Sequence, residues 1–402
     1  MRAHHQAPMS VASDDKCLGL VLSGGGARGA YEAGVLGWIA RHRPELFESI
    51  AVITGSSVGA VNGAFIASHG ISVEGALALE QLWSELSLGR IYSASPLDLF
   101  RRVIARRRTF FGTPDQPARG IFETTALERL IKERIDWPRL SRVIASGRLK
   151  GLAMAATEIG TGHTHVFVQH HPDHATPSWP DERRLEGYDV EICPQHVLAS
   201  TAIPFLFSPV QVGDYWYTDG SLRQNTPLSP ALRLGADRLL VISLGTEEID
   251  RPIPGRFPGM GQLLGKIFNG IFLDRTRWDL DRLSRINQIL DEGVALYGDT
   301  FVSRIQDGLA EKQIRPHRPV RYVNITPGRD IGVIAGEVLA QPGRLRSQLK
   351  GILRLFLTTG SMRSADAASY ILFDGAFARR LIDLGKSDAA RYADALDDLL
   401  AT

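Results

Sequence analysis

The chain has 402 residues, of which 44% are apolar, and this composition predicts a globular protein with a large core and room for two or three domains. Its 46 Lys and Arg residues nearly balance 44 Asp and Glu residues, so the formal charge of +2 gives no reason to expect a nucleic-acid partner. Cys17 and Cys193 lie in apolar segments far apart in the sequence. They suit free thiols in a reducing compartment and exclude a cysteine-based metal cluster.

The N-terminal segment, residues 1–15, is predicted to be a disordered tail. It lacks the basic start and apolar run of a secretory signal. The sequence also contains no run of 18 or more apolar residues, so a transmembrane helix is not predicted. We therefore expect a cytoplasmic protein whose contact with a membrane is peripheral.

The first predicted elements are a strand, a glycine-rich loop and a helix. Residues 17–22 form a compact apolar run, 23–29 read Ser-Gly-Gly-Gly-Ala-Arg-Gly, and 30–40 carry apolar side chains at helical spacing. A second strand is predicted at 49–54. This order indicates a βαβ crossover and hence a parallel sheet. Ligands are expected where the carboxyl ends of both strands meet.

A candidate nucleophile follows the second strand directly. The sequence Gly55-Ser56-Ser57-Val58-Gly59 lies between this strand and a run of small residues at 60–68 that predicts a helix. A sharp strand-turn-helix of this kind lifts the central hydroxyl clear of the sheet, and the glycines allow substrate and backbone to approach. Ser57 is therefore the candidate, although such a short motif also occurs by chance.

The later elements extend well beyond residue 250. Strands are predicted at 151–157, 165–168, 210–212, 215–217, 238–244 and 320–325, and a helix at 197–203 ends before Pro204. A helical segment covers 261–296, and 331–402 is almost entirely helical. We place one domain at 16–330 and a helical C-terminal region at 331–402.

The glycine loop has two interpretations. Gly24-x-Gly26-x-x-Gly29 matches the dinucleotide-binding fingerprint, which requires an acidic residue at the end of the second strand. Here that strand ends without a carboxylate. The favoured interpretation is a set of backbone N–H donors that face an oxyanion beside the nucleophile.

The sequence favours an aspartate over a histidine as the base that would activate Ser57. A triad in the order Ser, Asp, His requires a histidine after its acid, and only His317, in a loop-like segment, follows the best acid candidate. That candidate is Asp219, at the end of an aromatic strand and directly before Gly220. Its position suits a carboxylate that contacts Ser57 directly.

Together these residues resemble a known family. In patatin-like phospholipases a G-G-G-x-R-G loop, a G-x-S-x-G pentapeptide and a D-G-[AG] tripeptide occur in this order. Here they correspond to Gly24 to Gly29, Gly55 to Gly59, and Asp219-Gly220. Blocks similar to the family's also occur at 199–204 and 225–227. The similarity covers about residues 17–245, with the motifs within 19–227, and is that of a bacterial-type patatin-like protein.

The resemblance implies a fold, an activity and a substrate class. The implied fold is an α/β three-layer sandwich in which helices flank a mostly parallel central sheet, followed by a helical C-terminal region. The implied activity is that of a serine hydrolase of the phospholipase A or lysophospholipase type. It would release fatty acid from phospholipids or lysophospholipids at a membrane surface, without a cofactor or metal. The sequence carries no signal of the oligomeric state.

The resemblance also implies residue roles. Asp219 would accept the proton of Ser57, which attacks the ester carbonyl. The implied oxyanion hole comprises Gly24, Gly25, Gly26, Arg28 and Gly29, and the motif-supporting glycines are Gly55, Gly59 and Gly220. Ser221 departs from the family, which usually has Gly or Ala there. Because serine is also small, we expect activity to be retained.

Four further features have both a structural and a functional interpretation. Arg28 is either a solvated residue at a helix start or a charge that attracts a phosphate head group. Five histidines within 163–174 suggest a metal, but a polar hairpin is favoured because no suitably spaced ligand completes a site. The Arg- and Phe-rich stretch at 100–111 is either a solvated helix or part of a lipid-binding basic lid at 90–120. For 349–357 a core helix is favoured over a second lipid-binding segment.

Two rival functions remain open. A nucleotide-binding oxidoreductase would bind NAD(P) at the glycine loop and would be indifferent to Ser57→Ala. A non-catalytic lipid-binding protein would keep the scaffold and associate with liposomes without turnover.

Overall fold

The computed structural model describes residues 17–91, 120, 122, 125–174, 179, 184–246, 260–311, 319–341 and 365–401. Several sequence interpretations concern residues outside this part of the chain. They are the tail at 1–15, most of the lid at 90–120, His317 and the helix at 349–357.

A nine-stranded sheet forms the centre of the described structure. Its strands are β1 (Leu18–Leu22), β2 (Ile50–Ser56), β3 (Gly151–Glu158), β4 (Thr164–His170), β5 (Leu185–Asp189), β6 (Val210–Val212), β7 (Tyr215–Asp219), β8 (Arg238–Ile242) and β9 (Arg321–Ile325). The order is β5-β4-β3-β2-β1-β8-β9, and β7 attaches the β6–β7 hairpin to β3.

The sheet is mostly parallel. β1 pairs in parallel with β2 and β8, as do β2 with β3 and β8 with β9. Only β4 and β7 run antiparallel to β3, and β6 antiparallel to β7, among the strand pairs described. The predicted parallel pairing of the first two strands is confirmed, so both glycine turns lie at one edge of the sheet.

The first eight helices lie between residues 30 and 200. They are α1 (Ala30–His42), α2 (Pro44–Glu48), α3 (Val58–His69), α4 (Val73–Ser84), α5 (Leu88–Ile91), α6 (Thr125–Arg134), α7 (Trp137–Ala145) and α8 (Pro194–Ser200). Short 3-10 helices at Gly26–Gly29 and Gly220–Leu222 follow β1 and β7.

The remaining helices are α9 (Leu228–Arg233), α10 (Met260–Phe272), α11 (Asp274–Tyr297), α12 (Thr300–Glu311), α13 (Ile331–Ala340), α14 (Asp366–Ile371), α15 (Gly375–Arg391) and α16 (Ala393–Ala401). None of the helices in the described ranges is both long and apolar enough to cross a bilayer.

Helices cover both faces of the sheet. Successive side chains of a strand point to opposite faces. Leu20 and Leu22 of β1 belong to a core shared with α1, α3 and α15, whereas Val21 belongs to a second core shared with α9 and α11. This is the predicted α/β three-layer sandwich with a mostly parallel central sheet.

The C-terminal region packs back onto the first helix. At the crossing of α1 and α15, a Cβ atom on Gly34 would lie 2.2 Å from the Ile382 carbonyl oxygen. A Cβ on Gly385 would lie 2.4 Å from the Tyr31 carbonyl oxygen. The two backbones are therefore in direct contact. The sequence boundary near residue 330 stays a prediction.

Helix α8 differs from its prediction. It covers Pro194–Ser200 instead of 197–203. Pro204 disfavours a helical conformation at Ile203, and the chain instead turns through Phe205, which has φ = 66°. Pro194 suits the first position of a helix, and Pro204 disfavours its continuation at the other end. The helix therefore begins and ends earlier in the sequence than predicted.

Candidate active site

Ser57 lies in the tight turn between β2 and α3. Its φ of 52° and ψ of −123° are a rarely populated conformation for a non-glycine residue, which costs about 1–3 kcal/mol. The Ser57 N–H donates to the Ser200 hydroxyl at 2.9 Å. That hydroxyl donates in turn to the Ala155 carbonyl at 2.6 Å. The end of α8 and strand β3 therefore hold the strained turn in place.

The structure brings Ser57 and Asp219 together. The Ser57 Oγ donates a hydrogen bond of 2.6 Å to Asp219 Oδ2. Asp219 is the last residue of β7, whose antiparallel pairing places it opposite Ala156 of β3. Its own N–H donates to the Ala202 carbonyl at 2.9 Å. The contact expected from the sequence is present, whereas the roles of the two residues stay a prediction.

Burial decides the electrostatics of Asp219. The residue is fully buried, and this desolvation raises the pKa of its carboxyl to about 6. Hydrogen bonds from the Ser57 side chain and from the backbone and side chain of Ser221 act against burial and lower the pKa. Ser221, the departure from the family pattern, thus binds the carboxylate, and its N–H lies 2.8 Å from Asp219 Oδ1. Because the carboxyl is desolvated, it is a stronger base than an exposed aspartate.

The glycine loop lies at the end of β1, beside the turn that carries Ser57. Gly24 donates its N–H to the Asn225 carbonyl at 3.1 Å, and Arg28 donates its N–H to the Gly25 carbonyl at 3.2 Å. Gly26 has φ = 58°, a conformation that favours glycine. The N–H groups of Gly24 and Arg28 therefore already donate within the protein. The N–H groups of Gly25 and Gly26 are the candidates for binding an oxyanion.

The Arg28 side chain does not face solvent. The residue is 3% exposed, and its guanidinium lies 4.0 Å from the centroid of the Tyr370 ring. The interpretation of Arg28 as a solvated residue is therefore wrong. Sequence reasoning missed this contact because the two residues are more than 340 positions apart.

The motif-supporting glycines lie where the backbones of different elements touch. A Cβ on Gly55 would lie 2.4 Å from the Gly59 backbone, and one on Gly59 would lie 2.4 Å from the Leu22 carbonyl oxygen. A Cβ on Gly220 would lie 2.1 Å from the Ala155 carbonyl oxygen. Gly29 likewise has no room for a Cβ beside Val58. These glycines let the loop, the Ser57 turn and the Asp219 turn approach one another.

A buried carboxyl supports the loop from behind. The Asn62 amide of α3 donates to Glu32 Oε2 at 2.8 Å and to the Gly29 carbonyl at 3.1 Å. Burial raises the pKa of Glu32 well above its usual range, which favours its neutral form. This network was not predicted from the sequence. The signal that could have revealed it is Glu32, a carboxyl side chain among the apolar positions of the first helix.

The five histidines divide between the two ends of β4, with His163 and His165 at its start and His170, His171 and His174 at or beyond its end. His163 Nδ1 lies 3.0 Å from a Glu186 carboxylate oxygen, and His165 Nδ1 lies 2.9 Å from the Tyr217 hydroxyl. Within the described residues, the side chains form no group of three or more metal ligands. The polar-hairpin interpretation therefore agrees with these contacts.

Comparison with known proteins identifies a family and a bacterial relative. The family described as Patatin-like phospholipase matches residues 20–232, which is more than half of the chain. The chain is 24% identical over 238 residues to the uncharacterized protein YqhO of Bacillus subtilis strain 168. That alignment covers 58% of this chain and 72% of the relative.

Several solved structures align over most of the chain at low similarity. VipD from Legionella pneumophila is 14% identical, with a TM-score of 0.37, over 92% of this chain and 67% of VipD. Human GIVD cytosolic phospholipase A2 is 14% identical, with a TM-score of 0.39, over 96% of this chain and 59% of the human chain. ExoU of Pseudomonas aeruginosa, in its complex with SpcU, is 15% identical, with a TM-score of 0.29, over 89% of this chain and 76% of ExoU. Scores this low carry no argument about function.

Proposed function

The chain belongs to the patatin-like phospholipase family, which supports a lipid-hydrolysing activity, and from this premise we propose that it is a serine lipid acyl hydrolase. The proposed substrates are phospholipids or lysophospholipids, from which it would release free fatty acid. A Ser57–Asp219 dyad would carry out the reaction. The observation that carries the proposal is the 2.6 Å hydrogen bond from Ser57 to a buried Asp219 beside the glycine loop.

The acylation half of the proposed reaction begins at Ser57. The Asp219 carboxylate takes the hydroxyl proton while Ser57 Oγ attacks the ester carbonyl. The N–H groups around Gly25 and Gly26 stabilise the negative oxygen of the tetrahedral intermediate. When the intermediate collapses, the carbon–oxygen bond to the alcohol breaks. The protonated Asp219 then gives its proton to the departing lysolipid or glycerol derivative.

Deacylation uses the same groups with water in place of the alcohol. Asp219 takes a proton from water, which attacks the acyl-Ser57 carbonyl. Collapse of the second intermediate releases the fatty acid, and the proton returns from Asp219 to Ser57 Oγ. The strained Ser57 turn supports this cycle, since it presents the oxygen clear of the sheet in both steps.

Access to a lipid substrate would require contact with a membrane surface. Phe205 is 76% exposed and has a positive φ. It follows Ala202, whose carbonyl accepts the N–H of Asp219, by only three positions. Tyr215 and Trp216, on the strand that leads to Asp219, are also exposed. Exposed aromatic side chains on the segments that carry or contact Asp219 support a peripheral contact with lipid.

The proposal is tested by mass-spectrometric analysis of products from a mixture of phospholipids and lysophospholipids. Wild type is expected to release fatty acid, whereas Ser57→Ala and Asp219→Ala should each reduce the rate by about 10⁴-fold or more. Ser57→Gly is a second serine variant that suits the positive φ and so keeps the fold. A fluorophosphonate probe should label wild type at Ser57.

Full activity of Ser57→Ala or Asp219→Ala, with a native fold by circular dichroism, would refute the proposed dyad. Probe labelling at another serine would contradict the assignment of Ser57. NAD(P) binding that persists in Ser57→Ala, with no lipid turnover by wild type, would support the oxidoreductase instead. Liposome association without turnover would support a lipid-binding protein.

A further inference from the structure

We infer that Asn269, Ser369 and Tyr370, on helices α10 and α14, are positioning residues that hold the glycine loop through the side chain of Arg28. The inference rests on the proposed function, because an oxyanion loop matters only if Ser57 attacks an ester. All three residues lie beyond residues 20–232, the part of the chain that the family covers. The catalytic apparatus would therefore extend into helices α10 and α14, beyond the region that the family covers.

The Arg28 guanidinium is held on three sides. Its Nε donates to Ser369 Oγ at 2.8 Å, and its Nη2 donates to Asn269 Oδ1 at 3.3 Å. The guanidinium carbon lies 4.0 Å from the centroid of the Tyr370 ring, a cation–π distance. The Tyr370 hydroxyl donates to the same Asn269 oxygen at 2.8 Å. Helices α10 and α14 thus both bind a side chain that originates inside the loop.

The backbone of the loop touches the same helix independently of Arg28. Gly26 has a positive φ, and a Cβ atom there would lie 2.2 Å from the Tyr370 carbonyl oxygen. The glycine loop therefore lies directly on the Tyr370 backbone. Arg28 fixes one end of the 3-10 turn and Tyr370 limits the position of the other.

Fixing the loop has a catalytic consequence. A glycine-rich backbone has many accessible conformations, whereas oxyanion stabilisation requires N–H groups that already point at the developing charge. A displacement of about 1 Å can lower a rate by about 100-fold. Because Arg28 is buried and engaged, its contribution is to the direction of the loop N–H groups and not to the binding of a phosphate head group.

The test compares two buried serines in helices. Ser369 and Ser68 are both fully buried, and each donates its hydroxyl to the carbonyl three residues before it. Only Ser369 also accepts from Arg28. Fluorophosphonate labelling, run to completion, counts the correctly formed active sites in each variant. The turnover of a short soluble ester is then expressed per labelled site.

Ser369→Ala is expected to lower kcat per labelled site by about tenfold or more and to change KM little, because the loop loses its direction. Ser68→Ala should retain wild-type kcat per labelled site. If Ser369→Ala reduces only the number of labelled sites and leaves kcat per site unchanged, its role is structural and the inference is overturned. If wild type is not labelled at Ser57 and hydrolyses no ester, the proposed function is wrong, and the inference that rests on it is overturned as well.

A second pair of variants keeps the inference falsifiable if Ser369→Ala does not fold. Tyr370→Phe keeps the ring beneath the guanidinium, and Tyr370→Leu removes it. Tyr370→Phe loses only the hydroxyl bond to Asn269, whereas Tyr370→Leu also loses the ring, so we expect kcat per labelled site to fall at least about threefold further in Tyr370→Leu than in Tyr370→Phe. Equal kcat per labelled site in the two variants would contradict the positioning role.

Discussion

At the scale of single residues, the proposed chemistry depends on how the protein changes one aspartate. A carboxylate in water is far too weak a base to activate a serine hydroxyl. Asp219 is fully buried, and it keeps three hydrogen-bond donors, one of them the nucleophile itself. Burial raises its basicity while these hydrogen bonds keep the ionised form accessible. Catalytic power and stability therefore compete at this position.

The pH dependence of activity follows from the pKa of Asp219, which burial raises to about 6. Because the ionised form is the base, kcat/KM for a short neutral ester should rise with pH below about 6 and level above it. The stability contribution has the opposite sign. A raised native pKa contributes stability that is present below the unfolded value, about 3.8, and that is lost as pH rises through about 6.

The measurement is a pH–rate profile on the soluble ester, paired with urea unfolding at the same pH values. Asp219→Asn should lose the activity and also this part of the pH dependence of unfolding. A kcat/KM that stays constant between about pH 5 and about pH 7 would contradict Asp219 as the base.

The positions of Ser57 and Asp219 at strand ends were predictable from the sequence, whereas the contacts of the Arg28 side chain were not. Ser57 and Asp219 each lie at a recognisable strand end, and the order of the motifs links them. The environment of Arg28 depends on Ser369 and Tyr370, which no local pattern connects to the loop. For the Arg28 side chain the sequence suggested only solvent or a phosphate head group, because neither interpretation requires knowledge of the tertiary structure.

At the scale of elements, close backbone contact explains why several glycines occupy helices. Glycine normally weakens a helix interior, since it has more conformational freedom to lose than alanine. In α1 and α15, however, Gly34 and Gly385 allow two helices to touch along their backbones. Predicting the helices from periodicity was straightforward. Predicting this crossing was not, because it depends on segments about 350 residues apart.

The same substitution should therefore have opposite effects at two helical glycines. Gly34→Ala would place a Cβ 2.2 Å from the Ile382 carbonyl oxygen, and we expect it to lower the free energy of unfolding by about 2 kcal/mol or more. Gly308, in the interior of α12, has open space around its Cβ position. Gly308→Ala should raise the free energy of unfolding by up to about 1 kcal/mol. Urea denaturation of both variants measures the difference, and a neutral Gly34→Ala would refute the tight crossing.

One edge strand was missed by the sequence, although β6 and β9, which also lie at edges, were predicted. Strand β5 (Leu185–Asp189) was not predicted, because Leu-Glu-Gly-Tyr-Asp contains a glycine and no β-branched residue. It pairs in parallel with β4 at the end of the sheet, where one neighbouring strand is enough to hold it. The central strands β1, β2 and β8 are buried on both faces and gave a clear apolar signal.

At the scale of the whole molecule, hydrogen bonds join the C-terminal helices to the first helix and to the sheet. The Tyr31 hydroxyl of α1 donates to Asp388 of α15 at 3.2 Å. Arg238, at the start of β8, donates to the Leu399 carbonyl of α16 at 2.6 Å. These contacts join the beginning, middle and end of the chain. They favour a single cooperative unit over a separate region after residue 330.

A chain that ends at residue 330 should therefore fail to reach the native state. It would expose the face of α1 that α15 covers, including the buried Tyr31, and it would leave Arg238 without its Leu399 contact. We expect the full chain to unfold in urea in one cooperative transition and the shortened chain to show none. A chain that begins at residue 16, and so loses only the predicted tail, is the control and should unfold like the full chain. Cooperative unfolding of the shortened chain, together with fluorophosphonate labelling at Ser57, would instead support an independent domain at 16–330.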